Sequence, residues 1–284
     1  MGSSGIARGT SMNSQALLPL ILEPAELQPL LPSEELLLIS VCQQQVFSAA
    51  HIPGSALIRP SELVTTIGPA TGKLPSAEQL SAVLSRAGLR EDCHVIAYDD
   101  EGGGWAGRLL WTLDIIGHRH YSFLNGGLVA WIRSGLPVDA GMAASAPTDF
   151  KANINRELLT DIDEIIDQIG NSNFIVWDAR SAEEFDGSKI TARRNGHIPG
   201  AVNLDWLALM DRDNDLRLRP LAELERQLRA LGIGKGKNIV THCLSHHRSG
   251  LSYLVGKALG LNIKAYDGSW SEWGNNADTP IETL

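Results

Sequence analysis

The sequence predicts an α/β protein made of two homologous domains, each a parallel sheet flanked by helices on both faces. Three observations carry that prediction. The segment HIPGSALI at 51–58 returns as HIPGAVNL at 197–204, 146 positions later. The helix-like stretch PSAEQLSAVLSRAGL, with Leu80, Leu84 and Gly88, is matched by PLAELERQLRALGI, with Leu224, Leu228 and Gly232, at an offset of 144. Short apolar runs alternate with helical patterns through the second half, which is how a parallel sheet covered on both sides reads in sequence. A long-range repeat of this kind points to duplication.

Taken in order, the opening MGSSGIARGTS reads as an expression scar ahead of a natural start at Met12. The first domain is assigned to 12–138 and includes FLNGGLVAWI around Trp131, which pairs with AYDGSWSEWG around Trp273 at an offset of 142. Residues 139–149, DAGMAASAPTD, are small and polar with no apolar period, and read as a linker. The second domain is assigned to 150–284. It begins with TDIDEIIDQIG, where Thr160 is the expected N-cap, Ile162, Ile165, Ile166 and Ile169 form a stripe at helical spacing, and Gly170 is the stop. A buried strand FIVWD at 174–178, a short strand at AVNL and a helix over 221–231 follow. The strand NIVTH, the helix GLSYLVGKALG and the strand IKAY complete the domain.

Composition narrows the function. Hydrophobic residues make up 43% and charged residues 20%, the balance of an ordinary globular chain. A formal charge of −9 and the lack of a basic face argue against a nucleic-acid partner. No apolar run approaches the roughly 20 residues of a membrane span, and no signal segment is evident, so a cytoplasmic protein without membrane association is expected. Three cysteines at wide spacing, Cys42, Cys93 and Cys243, make neither a disulfide framework nor a metal finger.

The chemistry concentrates in IVTHCLSHHRSG at 239–250. Cys243 directly follows a strand and precedes a helix beginning near Ser249, and the sites of such sheets lie beyond the carboxyl ends of their strands. A loop of N–H groups at a helix N-terminus, together with Arg248 and any protonated histidine, favours a thiolate over a thiol. The same cradle would hold a second sulfur on Cys243 as a persulfide anion. Zinc bound by His242, Cys243, His246 and His247 is the alternative, but adjacent ligands on a tight loop do not readily form a tetrahedron. No metal is expected.

The loop CLSHHRSG, the two HIPG turns, the DAR at 178–180, the DGSWSEW segment and the duplication together resemble the tandem-domain rhodanese family of the bacterial thiosulfate sulfurtransferase type. The resemblance implies two rhodanese-like domains, the second catalytic. An offset of 144 back from Cys243 lands on Asp99 in AYDDEGGGWAGR, so the first domain lacks the thiol. It implies that Cys243 takes sulfur from thiosulfate, releases sulfite, and passes the sulfur to cyanide or to a thiol acceptor, a protein acceptor included, with no cofactor. Leu244, Ser245, His246, His247, Arg248 and Ser249 become the candidate substrate-binding loop. Arg180 is a candidate for the substrate sulfonate, against a structural ion pair with Asp178 or Glu184. His51 and His197 are expected to fix their turns, and Trp206 to wall the pocket or fill the domain interface. Positive charge on the loop argues for thiosulfate over 3-mercaptopyruvate as donor; a persulfide carrier docking on a partner is the other alternative. A phosphatase is disfavoured because only four residues separate Cys243 from Arg248.

Overall fold

A computed structural model describes residues 18–142 and 146–284; the opening MGSSGIARGTS lies outside the described residues. The first half contains strands β1 (Ile21–Leu22), β2 (Leu36–Val41), β3 (Ala56–Ile58), β4 (Thr65–Ile67), β5 (Ala70–Lys73), β6 (His94–Tyr98) and β7 (Tyr121–Leu124). Its helices are α1 (Pro24–Leu27), α2 (Gln44–Ala49), α3 (Ala77–Ala87), α4 (Gly104–Ile115) and α5 (Gly127–Arg133). The second half contains strands β8 (Phe174–Asp178), β9 (Val202–Asn203), β10 (Met210–Asp211), β11 (Arg217–Leu218), β12 (Asn238–His242) and β13 (Asn262–Ala265). Its helices are α6 (Ile162–Gln168), α7 (Ala182–Asp186), α8 (Leu221–Ala230), α9 (Arg248–Ala258) and α10 (Ser269–Trp273).

The main sheets run β1-β7-β6-β2-β3 and β13-β12-β8-β9, all parallel. Each central strand is buried on both faces. Val95 and Ala97 of β6 join one cluster while Ile96 and Tyr98 join another, and in β12 Ile239 and Val240 separate in the same way. The cluster facing the partner half is continuous from Ile39 and Leu109 to Trp177 and Leu251, so one core crosses between the halves.

At the centre of that core α4 and α9 lie against each other. Both are buried along most of their length, and the polar side chains they enclose include Arg108 and Asp114 of α4 and Ser249 and Ser252 of α9. They meet through glycines: a Cβ on Gly107 would collide with the Gly250 carbonyl, and one on Gly250 would fall 2.6 Å from the Arg108 amide nitrogen.

The duplication is legible in atomic detail. His51 Nδ1 lies 2.8 Å from the Phe47 carbonyl with its ring stacked on Phe47, and His197 repeats both contacts with Phe185. The histidines thus fix their turns, whose glycines adopt φ of 80° at Gly54 and 74° at Gly200. Trp131 and Trp273 donate their indole N–H groups to the carbonyls of Pro137 and Pro280.

Most expected elements fall where the sequence puts them, with one shift. The cap of α6 is Asp161, whose carboxylate accepts the Glu164 N–H at 2.9 Å, while Thr160 is buried. A carboxylate at a helix N-terminus also gains from the dipole, which a hydroxyl does not. The segment between the halves is tied to the first: Asp139 pairs with His51, and the Thr148 N–H and hydroxyl donate to the Ser85 and Leu89 carbonyls.

Candidate active site

The strand β12 ends at His242, and Cys243 is the first residue beyond it. Its carbonyl accepts the Trp270 N–H at 2.9 Å and the His242 Nδ1–H at 3.0 Å, which leaves the side chain aimed at the start of α9. Burial pushes the thiol up, but the Arg248 guanidinium, the Ser249 hydroxyl and amide, and His247 outweigh it and bring its pKa below the ordinary value. Burial dominates at the other two cysteines. Cys42 is pushed up to about 11, and Cys93 is raised as well.

The loop residues divide by role. Ser249 favours the thiolate through its hydroxyl and amide. Its hydroxyl lies 2.7 Å from His246 Nδ1, and His246 takes a left-handed φ of 53°. His246 is fully buried, edge-on to Trp111 of α4, and burial followed by the Arg108 charge drives its pKa well below the usual imidazole value. The expectation of a cationic histidine therefore does not hold for His246. Leu244 packs against the core cluster of Val240 and Trp270. The Ser245 carbonyl stands where a Cβ on Gly72 would be, so the β4–β5 hairpin of the first half lies directly on the loop.

Arg248 is not free to offer its charge unshared. Its Nη1 and Nη2 donate to Glu184 Oε2 at 2.6 Å and Oε1 at 2.9 Å, a bidentate pair that holds the Glu184 carboxyl below its usual range against the opposing effect of burial. Arg180 is a correction. Its Nε and Nη2 donate to the Asp178 carboxylate and its Nη2 also to the Gly196 carbonyl; the guanidinium lies over Trp270 with no exposure. An arginine two residues from an aspartate at a strand end closes on that aspartate instead of facing substrate.

Much of the site comes from the half that lacks the thiol, and this was invisible to local reading. The hairpin is pinned by the Thr71 N–H to Ser271 Oγ at 3.2 Å, the Leu74 N–H to Asp267 Oδ2 at 2.8 Å, and Lys73 to Asp267 Oδ1 at 2.7 Å. Arg108 of α4, buried over Trp111, donates to the Gly72 and Leu63 carbonyls. Glu101 accepts the Nε2–H of His247, and Trp105 stacks on that imidazole. Trp206 also faces His247, 5.6 Å away, so it serves both the loop and the interface. The motif DDEGGGW carries this signal, although in isolation it shows only a missing cysteine. Among the described residues no group of three or more His, Cys, Asp and Glu side chains is arranged to hold a metal.

The reverse arrangement covers the first half. There the β10–β11 hairpin lies on the Asp99 loop: a Cβ on Gly102 would fall 2.5 Å from Met210 Sδ, and the Leu218 N–H donates to Asn125 Oδ1 at 2.8 Å. Each half thus closes the strand-end loop of the other.

Fold and site together define a two-domain α/β protein with one polarised thiol at a strand end, enclosed by a second copy of its own fold. The model of the rhodanese-like domain matches residues 23–134 and again 161–276, and the chain belongs to the rhodanese family. A thiosulfate sulfurtransferase of Azotobacter vinelandii is 43% identical over 95% of this chain and 100% of that protein. One from Pseudomonas aeruginosa is 42% identical over 93% of this chain and 97% of its own. A 3-mercaptopyruvate sulfurtransferase of Escherichia coli is 31% identical over 84% of this chain and 86% of that protein. In fold alone, the anaerobic ergothioneine biosynthesis enzyme of Chlorobium limicola matches with a TM-score of 0.82, at 20% identity, over 93% of this chain and 70% of that one.

Proposed function

We propose that this chain is a thiosulfate sulfurtransferase whose catalytic residue is Cys243, with 12–138 as the supporting domain, 139–149 as the linker and 150–284 as the catalytic domain. The observation that carries the reading is the thiol itself: of three cysteines, Cys243 alone has a lowered pKa, and it does so while buried. The thiolate attacks the sulfane sulfur of thiosulfate. A bond forms between Cys243 Sγ and that sulfur, the bond from it to the sulfonate breaks, and its electron pair leaves with sulfite. Cyanide or a thiol, including one on a protein partner, then attacks the terminal sulfur, and the Cys243 thiolate returns. The Ser249 amide and hydroxyl, with Arg248, stabilise anionic sulfur in both half-reactions.

Thiosulfate is favoured as donor by the greater likeness to the two bacterial thiosulfate sulfurtransferases. The sharing of Arg248 with Glu184 weakens the argument from loop charge and makes 3-mercaptopyruvate the second donor to assay. Among the described residues no helix is long and apolar enough to cross a membrane. As part of this proposal the reaction is cytoplasmic, in keeping with three cysteines that are all free thiols. Intact-mass analysis tests the reading. Thiosulfate should add one sulfur to the wild-type chain at Cys243, and cyanide should remove it as thiocyanate. A wild-type protein that gains no sulfur would exclude the function.

A further inference from the structure

The acidic, glycine-rich loop of the first domain holds one residue that the sulfur-transfer cycle as written leaves without a task. Glu101 sits at its tip. Its carboxylate accepts the Nε2–H of His247, across the boundary between the two halves. The rest of that loop is arranged to make the contact possible. Asp99 Oδ1 takes the N–H groups of Glu101 and Gly102 at 3.1 Å and of Gly103 at 2.9 Å, and Oδ2 takes that of Ala106 at 2.9 Å, which fixes the backbone carrying Glu101. Gly103 has φ of 104°, a conformation that side chains oppose. Gly104 leaves the room that the imidazole fills: a Cβ there would fall 2.7 Å from His247 Nε2. Trp105, the next residue, stacks on the ring at 4.4 Å with an interplanar angle of 20°, and Trp206 approaches it at 57°.

His247 is thus held at Nε2 by Glu101 and flanked by two indoles, which leaves Nδ1 as the nitrogen that Glu101 does not engage. It stands four residues from Cys243 and beside Arg248, whose guanidinium is already engaged by Glu184. We propose that Glu101, in the domain without the thiol, is a positioning residue that orients His247 so that the ring, when it carries both protons, donates Nδ1–H to the anionic sulfur donor. A carboxylate on one imidazole nitrogen sets the orientation of the ring and the role of the other nitrogen. This rests on the sulfur-transfer reading only for what His247 binds. The orientation itself is a property of the resting protein.

Two variants and two readouts test it. In the folded wild-type protein the His247 ring protons lie over Trp105 and should show upfield ring-current shifts, assigned by their absence in His247→Asn. Glu101→Ala should collapse those shifts and raise KM for thiosulfate about tenfold while kcat stays within about twofold, the effect of one lost charge-assisted contact. Glu101→Gln keeps an acceptor for Nε2–H and should recover most of both. Unchanged ring shifts in Glu101→Ala would overturn the positioning role whatever the protein's reaction. Collapsed shifts with an unchanged KM would overturn the link to the donor. A drop in melting temperature in Glu101→Ala with both readouts unmoved would leave Glu101 a structural contact and defeat the proposal. Failure of the wild type to take sulfur from thiosulfate would instead strike the proposed function, and the ring shifts would still decide whether Glu101 orients His247.

Discussion

Asp99 and Cys243 occupy the same place in the two halves, one residue beyond the central strand and five residues ahead of a buried helix. Each meets backbone amides of its own loop, yet the two acids move in opposite directions. Burial and the Glu101 carboxylate push Asp99 up to about 6 despite three of those amides, whereas Cys243 falls below its ordinary value. The first residue of the helix accounts for the difference: it is Arg248 in α9 and Gly104 in α4. Amide donors alone do not offset the burial of a charge, and a neighbouring guanidinium does. The comparison shows where reactivity resides. The strand-end cradle is common to both halves, and the thiol together with its arginine separates the active copy from the silent one.

The sharpest way to break the comparison is Cys243→Ser, which keeps size and fold but removes the carrier. Thiocyanate formation from thiosulfate and cyanide should fall at least about a thousandfold with an unchanged melting temperature. Near wild-type turnover would place the chemistry elsewhere.

Removing the arginine's charge should come next in size. Arg248→Gln alone would strand Glu184, which is 2% exposed, so the double variant Glu184→Gln with Arg248→Gln is the cleaner probe. The pH dependence of Cys243 alkylation by iodoacetamide should move up toward that of an ordinary thiol. The kcat/KM for thiosulfate should drop about tenfold or more. An unmoved alkylation profile would mean that Ser249 and His247 set the thiol without the arginine.

On the silent side, Asp99 makes a pH-dependent contribution whose sign can be worked out. Folding raises its pKa from 3.8 to about 6, so the folded state binds the proton more tightly. That contribution is whole below the unfolded value and is lost as pH rises through the folded one, a change of roughly 3 kcal/mol. Asp99→Asn lacks this titration, and its single side-chain oxygen cannot replace both Oδ1, which accepts three amides, and Oδ2, which accepts the Ala106 N–H. It should be less stable than wild type at pH 4, and denaturant melts should show the gap closing by pH 8. A constant gap would contradict the raised value.

The smallest effect belongs to the remaining thiols. Cys42→Ser and Cys93→Ser should leave sulfur transfer within about twofold of wild type, because burial holds both thiols protonated. A large loss in either, at normal stability, would give the first half a chemical task that the comparison denies it.

Sequence revealed what is local or repeated. The HIPG turns, the strand and helix pattern around NIVTH, the Cys243 loop and the missing thiol at Asp99 all depend on neighbours in the chain or on a fixed offset between copies. What stayed hidden depends on how the copies pack. Arg248 and Glu184 are 64 residues apart, and His247 and Glu101 are 146 apart. No period in the sequence indicates that these charges meet. Arg180 is open to two roles in the sequence because a cation near a strand end looks the same whether it faces substrate or turns back on Asp178, as it does here. His246 misled because its burial under Trp111 is set by α4 of the other half.

Duplicated units are commonly interchangeable parts, and the helix contact at Gly104, Gly107 and Gly250 has ended that here. A chain assembled from two copies of the second half would bring an arginine to the place of Gly104, where a single added carbon already crowds His247. It would also place Leu251's counterpart at Gly107, against the Gly250 carbonyl. The two halves have become a matched lock. The second half cannot stand in for the first, and a second active cradle could not be regained by restoring a cysteine and its arginine alone.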